Sequence, residues 1–128
     1  MPAKGSDVTL VLRFTALSSG QRIPLVHLSI GFDYVCDATI NPGLAQSLLS
    51  EGAFADLVHW DIVNPLEKRQ CVLRDLKIQG QRLPDLSVRV SRATRRFGVD
   101  VVFGFDFFQN FIEARYDLRS NALTLVDP

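Results

Sequence analysis

The sequence contains few of the residues that mark metal sites, disulfide-stabilised folds or membrane proteins. Its 128 residues include two cysteines, two histidines, one methionine and one tryptophan. Cys36 and Cys71 fit no zinc-ligand spacing and form no disulfide framework. Two histidines and scattered carboxylates also predict no metal site. We therefore expect neither a metal nor a cofactor.

Net charge and long apolar runs are also missing. Lys plus Arg and Asp plus Glu number 14 each, so no overall field favours nucleic acid. A local cluster of Arg89, Arg92, Arg95 and Arg96 is interpreted as a solvated loop. No apolar run approaches the roughly 20 residues of a membrane span, and the N-terminal residues predict no signal peptide. These features predict one cytoplasmic domain over residues 1–128.

Most of the chain has the apolar–polar alternation that is typical of strands. The mostly apolar segment FDYVCDA (32–38) predicts a strand buried on both faces. The segments GAFADLVHWDIV (52–63) and RQCVLRDLKIQ (69–79) predict a long hairpin with Asn64-Pro65 at its turn. We expect about eight or nine strands in total.

Only two helices are predicted. The first is NPGLAQSLLSEG (41–52), in which Asn41 suits the N-cap, Pro42 the first turn and Gly52 the C-terminal stop. The second is a short turn of helix around Asp106–Phe111. Asp106 is interpreted as its N-cap or as a loop brace.

In both halves of the chain, a buried strand leads into a polar loop and a short helix. The two segments are YVCDATINPGLAQSLL (34–49) and VVFGFDFFQNF (101–111). This repeated arrangement resembles the retropepsin-like family, the fold of retroviral aspartic proteases and their cellular and bacterial relatives, from about Val8 to Val126. The resemblance implies an all-β, closed β-barrel with two short helices and a flap hairpin.

The resemblance rests on two signatures. The family's first signature is two hydrophobic residues, then Asp-Thr/Ser-Gly-Ala/Ser and a helix. Its second is two hydrophobic residues, Gly-x-Asp/Asn and a short helix, and Gly104 and Asp106 match it well. The first signature is assigned to Asp37 as the catalytic aspartate, so that Ala38 stands at the Thr/Ser position and Thr39 at the glycine position.

The resemblance implies catalysis by two aspartates that share a proton around a water molecule. One chain supplies one such aspartate, so the dyad would combine Asp37 with Asp37 of a second subunit in a homodimer. Ala38 lacks the bracing hydroxyl, and Thr39 adds a β-branched side chain where glycine is favoured, although its own hydroxyl could support Asp37.

Two functions follow from this assignment, and both stay open. The favoured one is a catalytically degenerate domain that acts as a dimerisation or peptide-binding module with a peptide or protein ligand. The alternative is an active aspartic endopeptidase that uses the Asp37 dyad.

Two further expectations concern surfaces. By resemblance, HWDIVNPLEKRQCVL (59–73) is the flap, with Trp60 and Asp61 as substrate-binding residues and a mobile tip at Pro65–Lys68. The resemblance also implies a dimer sheet of terminal strands, for which DVTLVL (7–12) and ALTLV (122–126) are the candidates.

Overall fold

The computed structural model describes residues 7–17, 19–31, 33–64 and 69–127. These ranges contain twelve strands, two α-helices and one 3₁₀ helix. The strands are β1 (Val8–Val11), β2 (Arg13–Ala16), β3 (Arg22–Ile30), β4 (Tyr34–Ile40), β5 (Leu48–Leu49), β6 (Gln70–Leu73), β7 (Leu76–Ile78), β8 (Gln81–Leu83), β9 (Leu86–Val90), β10 (Val101–Phe103), β11 (Glu113–Asp117) and β12 (Ala122–Val126). The helices are α1 (Glu51–His59), the 3₁₀ helix (Arg92–Phe97) and α2 (Phe105–Phe108).

The strands form two sheets. The larger has the order β6-β9-β5-β10-β4-β3-β7-β8, with β2 paired to β3, and it curls into a half-barrel. The smaller is antiparallel with the order β1-β12-β11. The prediction of an all-β fold is therefore confirmed.

The main core lies inside the curl of the large sheet. Alternate residues of β3 point inward, so that Leu28 and Ile30 are fully buried. The same cluster is completed by Leu57 of α1, Phe103 of β10 and Phe107 of α2. Burying side chains of this size contributes about 1.5–3 kcal/mol each before the entropy cost, so this layer holds the neighbouring loops in place.

The helix predicted over residues 41–52 is wrong. Residues 41–47 form turns and bends, β5 follows, and α1 begins only at Glu51. The N-cap is Ser50 instead of Asn41, since the Ser50 Oγ accepts a hydrogen bond from the Ala53 N–H at 3.1 Å. Leu48 and Leu49 suit a helical face, but both are buried in β5, between β9 and β10. Strand pairing overrides the local helical pattern here.

The long hairpin predicted over residues 52–79 is also wrong. Its first arm is α1, whose buried residues Ala53 and Leu57 are spaced four apart on one helix face. The second arm contains β6, which pairs with β9, and β7, which pairs with β3. The expected flap hairpin is therefore not formed by residues 59–64 and 69–73, and its predicted tip, Pro65–Lys68, lies outside the described residues.

The terminal strands pair within one chain. Strand β1 lies antiparallel to β12, with Val8 opposite Leu125, and β12 has β11 on its other side. The two strands that were expected to build a dimer sheet are thus already hydrogen-bonded to each other within one chain.

The outer edge of β1 is bound by two glutamine side chains that come from the β7–β8 turn and from β8. Gln79 accepts from the Val11 N–H at 2.9 Å and donates to the Val11 carbonyl at 2.8 Å. Gln81 accepts from the Thr9 N–H at 2.8 Å and donates to the Thr9 carbonyl. These amides take the place of a neighbouring strand and join the two sheets.

Candidate functional site

The two signature segments meet at one edge of the large sheet. Strands β4 and β10 are parallel neighbours, with Ala38 beside Val101 and Ile40 beside Phe103. Parallel strands end at the same edge of a sheet. Asn41 and Gly104 are the residues that follow these two strands, and the Asn41 N–H donates to the Phe103 carbonyl at 2.8 Å. The candidate site therefore consists of the loop 41–47 and the segment 104–106.

Ser47 and Asp106 connect the two segments. The Ser47 hydroxyl donates to Asp106 Oδ1 at 2.6 Å, and the Ser47 N–H lies 3.0 and 3.1 Å from the two carboxylate oxygens. The Ser47 hydroxyl also accepts from the Gly104 N–H at 2.9 Å. Asp106 accepts from the Phe107 N–H at 2.8 Å as well. Asp106 is thus a loop brace, which was one of its two predicted roles.

Gly104 is required by the close approach of the other loop. A Cβ atom at this position would lie 2.8 Å from the Leu44 carbonyl oxygen and from the Gln46 carbonyl carbon. Both neighbours are backbone atoms, so no side-chain movement could relieve the clash. The Phe105 N–H donates to the Leu44 carbonyl at 2.7 Å, which holds the two loops together.

The turn after β4 is formed by Asn41-Pro42-Gly43. The Asn41 Oδ1 accepts from the Gly43 N–H at 3.0 Å, and the Asn41 carbonyl accepts from the Leu44 N–H at 3.1 Å. A side chain at residue 43 would crowd Asn41, because a Cβ atom there would lie 3.1 Å from Oδ1. Asn41 therefore acts as a local cap for the turn, with glycine two residues later.

Asp37 does not lie at the end of its strand, as the sequence assignment expected. It is the fourth residue of β4, directly opposite His27 of β3. Asp37 Oδ1 and His27 Nδ1 lie 2.8 Å apart, and the side chains are 47% and 68% exposed. The pair is therefore a cross-strand contact on the open face of the sheet, and His27 is a histidine of the strand surface.

The two residues after Asp37 belong to the same strand. Ala38 is fully buried in the main core. Thr39 is 1% exposed, and its hydroxyl donates to the Pro24 carbonyl. The sequence analysis expected the Thr39 hydroxyl to support Asp37, but this hydroxyl is bonded to the Pro24 carbonyl instead. The catalytic role of Asp37 stays a prediction, but the structure gives it neither the loop nor the neighbours that the assignment required.

Trp60 and Asp61, the predicted substrate-binding residues, lie near the start of β4. The Trp60 ring packs edge-on against Tyr34 with 5.5 Å between centroids. Tyr34 and Asn41 lie seven positions apart along extended chain, or about 23 Å. Tyr34 and Asp37 also point to opposite faces of β4. The structure therefore brings Trp60 and Asp61 beside neither Asp37 nor Asn41, and their predicted role remains untested.

Tyr34 is held neutral by its surroundings. Burial, followed by its hydrogen bond to Asp56 at 3.1 Å, raises the pKa of the Tyr34 phenol far above its ordinary value.

Burial also raises the pKa of Cys36 to about 12 and that of Cys71 to about 11. Neither thiol is therefore a candidate nucleophile. In the described ranges, no group of three His, Cys, Asp or Glu residues could hold a metal ion.

An apolar groove of about 460 Å³ opens next to the Asn41 turn. Phe105 is 51% exposed, and Phe14 and Tyr116 are each 39% exposed. All three aromatic residues line the groove together with Pro42. The remaining lining residues are Leu12, Pro24, Ile40, Phe108, Ala114 and Leu123. Groups of exposed aromatic side chains of this kind mark interaction surfaces.

Comparison with known proteins identifies the fold. No protein-family profile and no curated protein sequence matches the chain. A retropepsin-like aspartic protease from Rickettsia conorii superposes with a TM-score of 0.57 and 13% identity, covering 94% of this chain and 89% of that one. The retroviral protease-like domain of Ddi1 from Leishmania major gives a TM-score of 0.58 and 16% identity, covering 80% and 89%.

At this level of identity the likeness establishes the fold alone. The chain has the retropepsin-like fold that the two signatures predict. None of the helices in the described residues is long and apolar enough to cross a membrane.

Proposed function

We propose that this chain is a non-catalytic retropepsin-like domain that acts as a homodimerisation module. The observation that carries the proposal is the Asn41-Pro42-Gly43 turn at the end of β4. It follows the strand that lies parallel to β10 and contacts the second signature segment. The catalytic Asp-Thr/Ser-Gly of the retropepsin signature belongs directly after this strand, so Asn41 takes the place of the aspartate.

This alignment explains the first signature better than the one centred on Asp37. Gly43 then matches the signature glycine, which the Asp37 assignment left unmatched. Pro42 replaces the Thr/Ser and has neither a hydroxyl nor an N–H to offer a partner loop. Asp37, Ala38 and Thr39 become ordinary strand residues, which agrees with their positions in β4.

The chemistry argues against catalysis by such a site. An aspartic protease needs one carboxylate that accepts a proton from water and a second that donates one. The amide of Asn41 does neither at ordinary pH. A homodimer would bring two amides together, so no proton would be shared. The endopeptidase alternative would have to use Asp37, which is bound to His27 on an exposed sheet face.

The apolar groove supports the dimerisation role. The rim residues Phe14, Phe105 and Tyr116 expose large aromatic surface beside Pro42, the residue next to Asn41. A second copy of the chain that covers this groove would remove that surface from water at about 25 cal/mol per Å². In the described residues, the exposed aromatic side chains of this face have no other element to cover them.

Sedimentation equilibrium at micromolar concentration tests this role. We expect a mass of about twice 14.3 kDa for the wild type. Phe105→Glu should shift the protein toward monomer, because it places a charge in the apolar groove. Leu118→Glu is the matched control, since Leu118 is 81% exposed and does not line the groove. A monomeric wild type would refute the dimer, and binding of peptides to that monomer would favour a peptide-binding module instead.

Digestion of a peptide library between pH 4 and 7 tests the absence of catalysis. We expect the wild type and Asp37→Asn to be equally inactive. Cleavage by the wild type that Asp37→Asn abolishes would establish the endopeptidase alternative.

A further inference from the structure

Three arginines surround a second pocket, which lies outside the signature loops. Arg69, Arg89 and Arg92 line a pocket of about 430 Å³, with Val90 and Ser91 as its other lining residues. Arg89 lies in β9, while Arg69 directly precedes β6 and Arg92 begins the 3₁₀ helix. The pocket is thus formed where three elements meet, and all three guanidinium groups belong to exposed residues.

Glu51 fixes two of these arginines. Its Oε2 accepts from Arg69 Nη2 at 2.5 Å, and its Oε1 accepts from Arg92 Nε at 3.1 Å. One carboxylate therefore holds two guanidinium groups side by side, each through a different oxygen. In a free arginine, ordering the long side chain costs entropy when a ligand binds. Glu51 removes part of that cost before any ligand arrives.

The backbone beneath the arginines is held as well. The Val90 N–H donates to the Arg69 carbonyl at 2.8 Å, and the Ser91 N–H donates to the Leu49 carbonyl at 2.9 Å. Arg69 adopts φ 61°. Such a left-handed conformation is unfavourable for residues other than Gly, Asn and Asp, and it persists only where the surroundings enforce it. Backbone hydrogen bonds therefore hold the segments that carry Arg69 and Arg92 against their neighbours.

The charge of the pocket selects the ligand. Three guanidinium groups and the carboxylate of Glu51 leave a net charge of +2 by simple counting of the residues at this site. A phosphate monoester carries about −1.5 to −2 at pH 7, whereas a carboxylate carries −1. Planar guanidinium groups also match the oxygens of a phosphoryl group through paired hydrogen bonds.

We propose that this arginine pocket binds a phosphorylated serine or threonine side chain of a partner peptide. Arg89 provides the hydrogen-bond donors that no internal carboxylate occupies among the described residues. Arg69 and Arg92 contribute their remaining N–H groups from fixed positions. The convergence of three arginines on one pocket suits a single phosphoryl group rather than the regularly spaced phosphates of a nucleic acid, and the chain as a whole carries no net positive charge.

Fluorescence anisotropy with labelled degenerate peptide pools tests the proposal. The central residue of each pool is phosphoserine, phosphothreonine, serine or glutamate. We expect the phosphoserine and phosphothreonine pools to bind at least about tenfold more tightly than the serine and glutamate pools. Arg89→Gln should weaken that binding about tenfold and leave the Glu51 contacts intact. Arg89→Lys should recover only part of the affinity, because a lysine keeps the charge but loses the paired geometry.

Arg82→Gln is the matched control. Arg82 is also an exposed arginine in the middle of a strand, but β8 lies at the other edge of the large sheet. Its replacement should change the affinity less than twofold. Equal losses for Arg82→Gln and Arg89→Gln would overturn the proposal, as would equal binding of the glutamate pool. Failure of the phosphorylated pools to bind at millimolar concentration, or tighter binding of a single-stranded oligonucleotide, would also overturn it.

Discussion

The Ser47 hydroxyl lies 2.6 Å from Asp106 Oδ1, although 59 residues separate the two along the chain. Ser47 is fully buried and also accepts a hydrogen bond from the Gly104 N–H. This contact joins the loops that follow β4 and β10, and so fixes the position of the Asn41 turn. This brace explains how the fold keeps both signature segments in place.

Replacement of Ser47 by alanine is expected to lower the free energy of unfolding by about 1–3 kcal/mol, because it leaves the buried Gly104 N–H without an acceptor and removes one of the donors to the Asp106 carboxylate. Urea denaturation of Ser47→Ala measures this loss. Ser87→Ala, an exposed serine in β9, is the control and should change stability by less than about 0.5 kcal/mol. A Ser47→Ala variant as stable as the control would show that the contact is not a brace.

More of the fold than of the candidate site could be predicted from the sequence. Apolar alternation and the second signature predicted an all-β chain and the Gly104–Asp106 segment, because these features are local in sequence. The end of β4 could not be located in the same way. An apolar strand with an aspartate inside it looks like a strand that ends there, and the parallel pairing of β4 with β10, in which Ile40 lies beside Phe103, shows that β4 continues to Ile40.

The error at Asn41 had a related cause. Asn-Pro followed by Gly and several leucines is typical of a helix start, and the long-range pairing of β5 with β9 and β10 is not visible in that pattern. One signal could have located the site. Gly43 matches the signature glycine when Asn41 is read at the position of the aspartate.

Glu51 should make stability depend on acid pH. Its hydrogen bond to Arg69, together with the contact to Arg92, lowers the pKa of Glu51 below its ordinary value of 4.5. A lowered pKa in the folded state stabilises the protein above the ordinary pKa, and this contribution is lost as the pH falls through the folded value. We expect Glu51→Gln to be less stable than the wild type at pH 7, with the difference shrinking from pH 4.5 downward.

Urea denaturation of both proteins between pH 7 and 3 measures this difference. Glu113→Gln, which alters an exposed pair with Arg115, is the control. It should change the free energy of unfolding by less than about 0.5 kcal/mol at pH 7. If the difference in free energy of unfolding between Glu51→Gln and the wild type stayed constant from pH 7 to 3, it would contradict a lowered pKa for Glu51.

The two glutamines that bind β1 should protect its amides from exchange. Gln81→Ala removes the acceptor of the Thr9 N–H, and Gln79→Ala removes that of the Val11 N–H. We expect each variant to lose about 1 kcal/mol and to speed exchange mainly at its own partner amide, by roughly fivefold. Residue-resolved hydrogen exchange makes this measurement, and each variant is the control for the other. Equal acceleration of both amides in either variant would indicate general fraying instead.

The cysteines should be inert in the folded protein. Burial holds the pKa of Cys36 at about 12 and that of Cys71 at about 11, so few thiolates form at pH 8. Reaction with a thiol-specific disulfide reagent should be on the order of a hundredfold slower in the native protein than in urea. Rapid labelling of either cysteine in the native state would mean that its site opens more readily than the structure indicates.

Asn41, and not Asp37, is proposed to stand in the position of the catalytic aspartate. The most direct measurement is the rate of peptide-library cleavage between pH 4 and 7 by Asn41→Asp/Pro42→Thr, which restores Asp-Thr-Gly with the native Gly43. We expect this variant to cleave peptides where the wild type does not, and we expect the added change Asp37→Asn to leave the gained activity in place. A folded, dimeric double variant no more active than the wild type, or a gain that disappears with Asp37→Asn, would contradict the proposal.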